Sequence, residues 1–268
     1  MDKKLRVGVL ISGGGSNLNA ILDACETGRI DAKILQVGSD NPNAGGLKRA
    51  HEHGIPSFVI DYRSLIRQCK RDPDLLTLPE DLDLDDIIKK QHLIDSQANP
   101  SKIRQILLPR IAAEYQLFKT IQPYHLDLLV LAGFMRNLTP YFIDRFNLIP
   151  DEPRIMNIHP ALLPAFPGLD GYGDTFRYGS KIGGCTVHFI DYGEDSGPII
   201  AQRAFYIEEN DSIEAIKQKG LKLEWETYPQ CIQLFAEGRL KVIRTTHRLK
   251  NGRLYQRRVV KIAQPLFK

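Results

Sequence analysis

The chain has 268 residues, 43% hydrophobic and 25% charged, with a formal net charge of +4; this is ordinary globular composition, at a length that suits one domain with insertions as well as two. No stretch reaches the ~18 to 20 apolar residues of a membrane helix, and residues 1–5 run straight into a strand-like segment with no apolar leader. Four scattered cysteines (Cys25, Cys69, Cys185, Cys231) form no CxxC pair, which argues against a disulfide framework or structural zinc and for a reducing, cytoplasmic setting.

Leu5–Ile11 (LRVGVLI) predicts a buried parallel strand. The glycine-rich turn 12–17 follows, then an amphipathic helix over 18–26 with Leu18, Ile21, Leu22 and Cys25 on one face. Residues 33–37 and 56–60 read as strands, with a helix over 45–53 between them. This alternation predicts an α/β fold, doubly wound, with a mostly parallel sheet and helices on both faces. The pattern breaks over about 62–99, where no clean periodicity holds and residues 72–86 carry seven acidic side chains. We read that segment as an insertion.

Residues 101–121 predict a helix striped by Ile103, Leu107, Ile111, Tyr115 and Phe118, with Pro109 at a start or kink. Strands are expected at 126–132, 154–158, 185–190 and 198–206. A long helix over 212–237 stops at Gly238. Residues 242–268 hold eight Lys/Arg and no Asp/Glu, more than the whole net charge. Asn251-Gly252 between alternating segments predicts a C-terminal β-hairpin with a two-residue turn. Its basic residues suit a solvated edge guarded against strand pairing better than a nucleic-acid contact. The expected organisation is one domain over 1–241, with an N-terminal half to about 125 that includes the insertion and a C-terminal half over about 126–241. The basic hairpin, 242–268, follows.

Three features carry chemistry. In 12–17 (SGGGSN), consecutive glycines between strand and helix allow close backbone approach, and the helix start offers unpaired N–H groups to an anion. The loop lacks the Gly-Lys-Ser/Thr of a Walker A motif, and Leu18 stands where GxGxxG needs its last glycine. Phosphate binding and a plain tight turn both remain open readings. Asn157 and His159 sit two apart at a strand end, on one side of the sheet. A carboxamide donor beside a titratable imidazole suits acyl chemistry, although a lone strand-end histidine is also a common structural group. Asp195, in a polar loop before the next strand, would favour a charged imidazole if the fold brought it near His159.

These residues resemble the folate-dependent formyltransferase family, and within it the branch acting on glycinamide ribonucleotide. The matching segments are VLISGGGSNL (9–18), VLAGFMR (130–136), NIHPALLPAFPG (157–168), GCTVH (184–188), DSGP (195–198) and EWETYP (224–229). The resemblance implies a catalytic trio of Asn157, His159 and Asp195, supported by His188. It implies that Gly15, Ser16 and Asn17 hold the substrate phosphate and Glu224 its ribose. Met135, Arg136 and Leu138 would form the pterin wall, with Asn157 and the loop Asp191–Asp195 closing over the ring. 10-Formyltetrahydrofolate would be the co-substrate, with no metal, and the partners would be small molecules, with no nucleic acid or membrane; a monomer or homodimer is expected. Two departures stand out. The family usually places histidine after Pro167-Gly168-Leu169, where this chain has Asp170-Gly171-Tyr172-Gly173-Asp174, and the loop from Asp191 reads Tyr192-Gly193-Glu194. Transfer to another small phosphorylated amine, or hydrolysis of the formyl donor, are the alternatives.

Overall fold

The computed structural model describes residues 4–95, 98–149 and 151–264. Residues 1–3, residues 96–97 of the insertion and residues 265–268 of the basic tail lie outside the described residues. Strands β1 (Leu5–Ile11), β2 (Ala32–Ser39), β3 (Ser57–Val59), β4 (Leu128–Leu131), β5 (Ile155–His159), β6 (Ile182–Phe189) and β7 (Ile199–Tyr206) form one sheet. Their order is β3-β2-β1-β4-β5-β6-β7. The first five pair in parallel, and β6 and β7 run antiparallel at one end.

The central strands β1, β4 and β5 are largely buried and mostly apolar, with alternate residues serving opposite cores, while β3 and β7 at the edges are more exposed. Val7, Val9, Ile11, Leu128 and Val130 enter one core, while Leu10, Leu129 and Leu131 enter the other. The helices are α1 (Ser16–Glu26), α2 (Gly45–Glu52), α3 (Tyr62–Arg71), α4 (Leu84–Lys90), α5 (Pro100–Ile121), α6 (Pro140–Asn147), α7 (Gly171–Arg177) and α8 (Ile213–Ala236). The first core takes side chains from α1, α2 and α8, and the second takes them from α3 to α6.

Three expectations change. The insertion is built structure, because Asp61 accepts from the Ser64 amide and Asp83 from the Asp86 amide, each at 2.9 Å, starting α3 and α4. Its Tyr62, Leu65, Cys69, Leu76 and Ile87 are buried in the second core. Pro109 lies inside α5, which begins at Pro100. The C-terminal hairpin, β8 (Leu240–Arg248) and β9 (Leu254–Ile262), starts slightly before 242 and forms its own two-stranded sheet. Its Val242 and Val260 pack on the first core. Its turn is longer than two residues: the Leu249 amide donates to the Arg253 carbonyl, and Gly252 takes a φ of +79°. That is a three-residue turn with glycine in the left-handed position.

Candidate active site

The carboxyl ends of β4 and β5 open into a cavity of about 360 Å³, where ligands of open α/β sheets collect. Asn157 and His159 reach it from β5, and 133–138 lines it after β4. The loop after β6 supplies Asp191 and Asp195, α1 supplies Asn17 and α8 supplies Glu224. A strand-end pair and a carboxylate 36 residues further on thus meet. Asp195 Oδ2 lies 3.1 Å from His159 Nδ1, and Asp195 Oδ1 lies 3.6 Å from His188 Nε2. Asn157 Nδ2 lies 3.2 Å from the same His188 nitrogen. His188 is fully buried behind the cavity wall, and its Nδ1 faces the Phe189 carbonyl at 3.0 Å.

Each contact has a local cause. Pairing of Asn157 with His188 across β5 and β6 fixes that register. Asp195 adopts a φ of +48°, a left-handed conformation that a non-glycine residue holds only when its surroundings enforce it. Its carboxylate accepts the Gly168 amide at 2.8 Å, the Asn137 side chain bonds Glu194, and the Arg257 guanidinium donates to the Ser196 carbonyl at 2.8 Å. The insertion also braces this loop. The His92 amide donates to the Tyr192 carbonyl at 2.8 Å, and the Tyr192 hydroxyl bonds Asp144, which Lys90 approaches at 3.0 Å.

Burial lowers the His159 pKa, against the pull of Asp195 and of the Phe166 carbonyl 2.7 Å from Nε2. Both ring nitrogens therefore face acceptor oxygens, and only an imidazolium donates to both. A neutral ring leaves one acceptor without a hydrogen, so the pair is arranged to receive a proton. At Asp195, burial opposes the charged form, but the His188, His159 and Gly168 contacts outweigh it and hold the carboxyl below its ordinary value. A carboxamide donor beside a carboxylate–imidazole pair can stabilise an oxyanion and accept a proton from a nucleophile.

The other expected residues divide. Gly15 caps α1 with a φ of +73°, and a Cβ there would lie 2.8 Å from Gly46 Cα. Asn17 enters the main cavity, whereas Ser16 opens onto an adjoining depression rimmed by Arg29, Arg49 and Lys222. Arg49 also bonds the Gly14 carbonyl at 3.0 Å. Met135 is half exposed and lines the cavity instead of packing in a core, and its amide donates to Ser12 Oγ at 2.8 Å. Arg136 pairs with buried Asp40 at 2.6 Å and lies over the Tyr62 ring. Leu138 is buried against the second core while touching the cavity. Asp191 accepts from the Gly193 amide and lines the same space. Glu224, on what reads as a charged helix face, is buried and accepts from Asn17 and Tyr172.

Sequence reasoning missed Arg49, Tyr172 and the Phe166 carbonyl. Arg49 and Tyr172 lay in segments already singled out, but only the folded chain shows their partners. Among the described residues, no group of three or more His, Cys, Asp or Glu converges to hold a metal.

The formyl transferase family profile matches residues 5–232. The phosphoribosylglycinamide formyltransferase of Bacillus subtilis is 32% identical over 225 residues, covering 84% of this chain and 91% of its own. That of Escherichia coli is 32% identical over 238 residues, covering 89% and 90%. The solved glycinamide ribonucleotide transformylase 1 of Symbiobacterium toebii superposes with a TM-score of 0.70 at 33% identity, covering 98% of this chain and 96% of its own. A match over this much of its length, on the strands and loops that build the cavity, means that the chain belongs to the formyl transferase family.

Proposed function

We propose that this enzyme transfers the formyl group of 10-formyltetrahydrofolate to the amine of glycinamide ribonucleotide, a step of purine synthesis. The observation that carries the reading is the convergence of Asn157, His159 and Asp195 on one cavity that also holds Asn17 and Glu224. The relatives named for that reaction support the choice of substrate.

The residues present fit the folate. The cavity is walled by Leu131, Met135, Leu138 and Ile190, which suit a flat ring, and 133–138 is irregular backbone outside the strand ladder. Asn17 Oδ1 is buried without a hydrogen-bond partner, an acceptor suited to a donor on the second substrate. The N-terminal half holds the phosphorylated amine, with its phosphate over 13–17 where Gly13 and Gly14 leave open space. The C-terminal half holds the folate.

In the reaction the neutral amine attacks the formyl carbon. The oxygen that gains charge takes a hydrogen bond from the Asn157 amide, and the imidazolium formed at His159 places a positive charge beside it. The proton shed by the amine passes to the His159–Asp195 pair, directly or through a water, and leaves with the tetrahydrofolate nitrogen as the C–N bond to the donor breaks. His188 holds Asn157 and Asp195 in register. We read the protein as cytoplasmic, acting as a monomer or homodimer. The described residues include no helix long and apolar enough to cross a membrane, and the four cysteines are free.

The test is to incubate the protein with 10-formyltetrahydrofolate, with and without glycinamide ribonucleotide, and follow loss of the formyl donor. Loss is expected only with the amine present. Equal loss without it makes the chain a hydrolase, and loss only with a different amine reassigns the acceptor.

A further inference from the structure

The run 170–174, which lacks the expected histidines, builds a different wall. Tyr172 at the start of α7 donates its hydroxyl to Glu224 Oε1 at 2.6 Å, while Asn17 Nδ2 donates to Oε2 at 2.6 Å. Each carboxylate oxygen is thus held by one donor, and the two donors come from elements far apart in the chain. The tyrosine ring is buried, and its space comes from Gly220, one turn before Glu224 on α8. A Cβ at 220 would lie 2.1 Å from the ring Cζ and 2.2 Å from the hydroxyl. Glycine inside a helix costs about 1 kcal/mol relative to alanine, and here the tyrosine supplies its reason.

We propose that Tyr172 is a positioning residue for the amine substrate. It fixes the Glu224 carboxylate so that the lone pairs left over face the cavity and accept the hydroxyls of a vicinal diol, and Gly220 is the complementary gap that admits it. The proposal rests on the reading of Glu224 as a substrate contact. Asn17 alone leaves one carboxylate oxygen free to turn; with both donors the plane of the carboxylate is set before the sugar arrives. Preorganisation of this kind acts on binding of the diol and leaves the formyl chemistry at Asn157 and His159 alone.

The test compares Tyr172→Phe, Gly220→Ala, the double variant and Glu224→Ala, with KM for each substrate, kcat and thermal stability measured for all. Tyr172→Phe keeps the ring and removes only the hydroxyl. It is expected to raise KM for glycinamide ribonucleotide about tenfold, the order set by losing one hydrogen bond to a charged group. kcat and the folate KM should stay within about threefold. Gly220→Ala, by displacing the ring, should reproduce that KM rise without adding to it in the double variant.

A pH profile separates positioning from a merely structural role. Burial raises the Glu224 pKa, and its two hydrogen bonds work against that rise. Loss of the tyrosine donor lifts it further, so the acid-side loss of affinity should begin at higher pH in Tyr172→Phe. The other titratable groups around this carboxylate are Cys185 on β6 and Tyr228 on α8, with Lys217 at the cavity wall. If Glu224→Ala raises KM and Tyr172→Phe leaves it unchanged, the proposal fails and the substrate reading stands. If Glu224→Ala itself leaves KM unchanged, that reading fails. Should Tyr172→Phe not fold, Gly220→Ala decides: an unchanged KM for glycinamide ribonucleotide in that folded variant overturns the pairing.

Discussion

Replacing Asp195 by asparagine removes a charge and keeps a shape. The amide oxygen can still accept from Gly168 and face His159, so the strained loop keeps its anchor. What is lost is the attraction between a carboxylate and an imidazolium 3.1 Å apart, about 5 kcal/mol at an effective dielectric constant near 20. Part of that is offset by the cost of keeping both groups out of water, and an opposite charge at this range typically moves a pKa by about 1 to 3 units. With burial already lowering the imidazole, the ring of the variant becomes a weaker base by that amount. Turnover is expected to fall by about a hundredfold, within the range that general acid–base catalysis supplies. The acid limb of kcat/KM against pH reports the free enzyme and should move to lower pH, because the histidine then loses its proton sooner. The assay is amine-dependent loss of the formyl donor across pH, with thermal stability followed alongside. A folded Asp195→Asn protein with a plateau within about threefold of the parent and an unmoved acid limb would refute the role of the pair.

Gly15→Ala places a Cβ 2.8 Å from Gly46 Cα at a φ of +73°. It should cost about 1 to 2 kcal/mol of stability from the left-handed backbone and raise KM for the phosphorylated amine; denaturant unfolding and saturation kinetics check both. Tyr192→Phe removes the hydroxyl that bonds Asp144. Turnover should fall a few-fold, the effect of about 1 kcal/mol of lost loop anchoring, with both KM values little changed; an unaltered kcat would show that the insertion does not brace the catalytic loop. At Glu114, burial lifts the carboxyl from an ordinary 4.5 to about 8 against two Thr139 hydrogen bonds. The native state therefore binds more protons than the unfolded one between those values, so this residue's contribution to stability falls as pH rises from 4.5 to about 8. Thermal unfolding across that window should show a shallower fall for Glu114→Gln.

Much of the sheet could be read in the chain because the central strands β1 and β4 are short apolar runs with turn residues after them. Asn157 and His159 were legible together, since a two-residue spacing at a strand end puts both on one side. Asp195 was legible as a loop carboxylate, but its place beside His159 only through resemblance, because nothing local links the two and its positive φ depends on partners from the β4 loop, the insertion and the hairpin. The insertion hid two short helices, α3 with a basic surface and α4 within the acidic run. Their signals were the caps, Asp61 three residues before Ser64 and Asp83 three before Asp86. Asn251-Gly252 was read as the whole turn when Gly252 alone carries the left-handed position. Glu224 gave no sign of burial, because its neutralising contacts come from α1 and α7, which helix periodicity does not register.

A crystal structure with glycinamide ribonucleotide and a non-transferable folate analogue bound together tests the central claim most directly. The account predicts the pteridine against 133–138 and the phosphate over 13–17. The amine nitrogen should stand within about 3 to 3.5 Å of the carbon that would carry the formyl group, with His159 and Asp195 beside it. A folate ring seated outside this cavity, or an amine held far from His159 and Asp195 with both ligands bound, would contradict it.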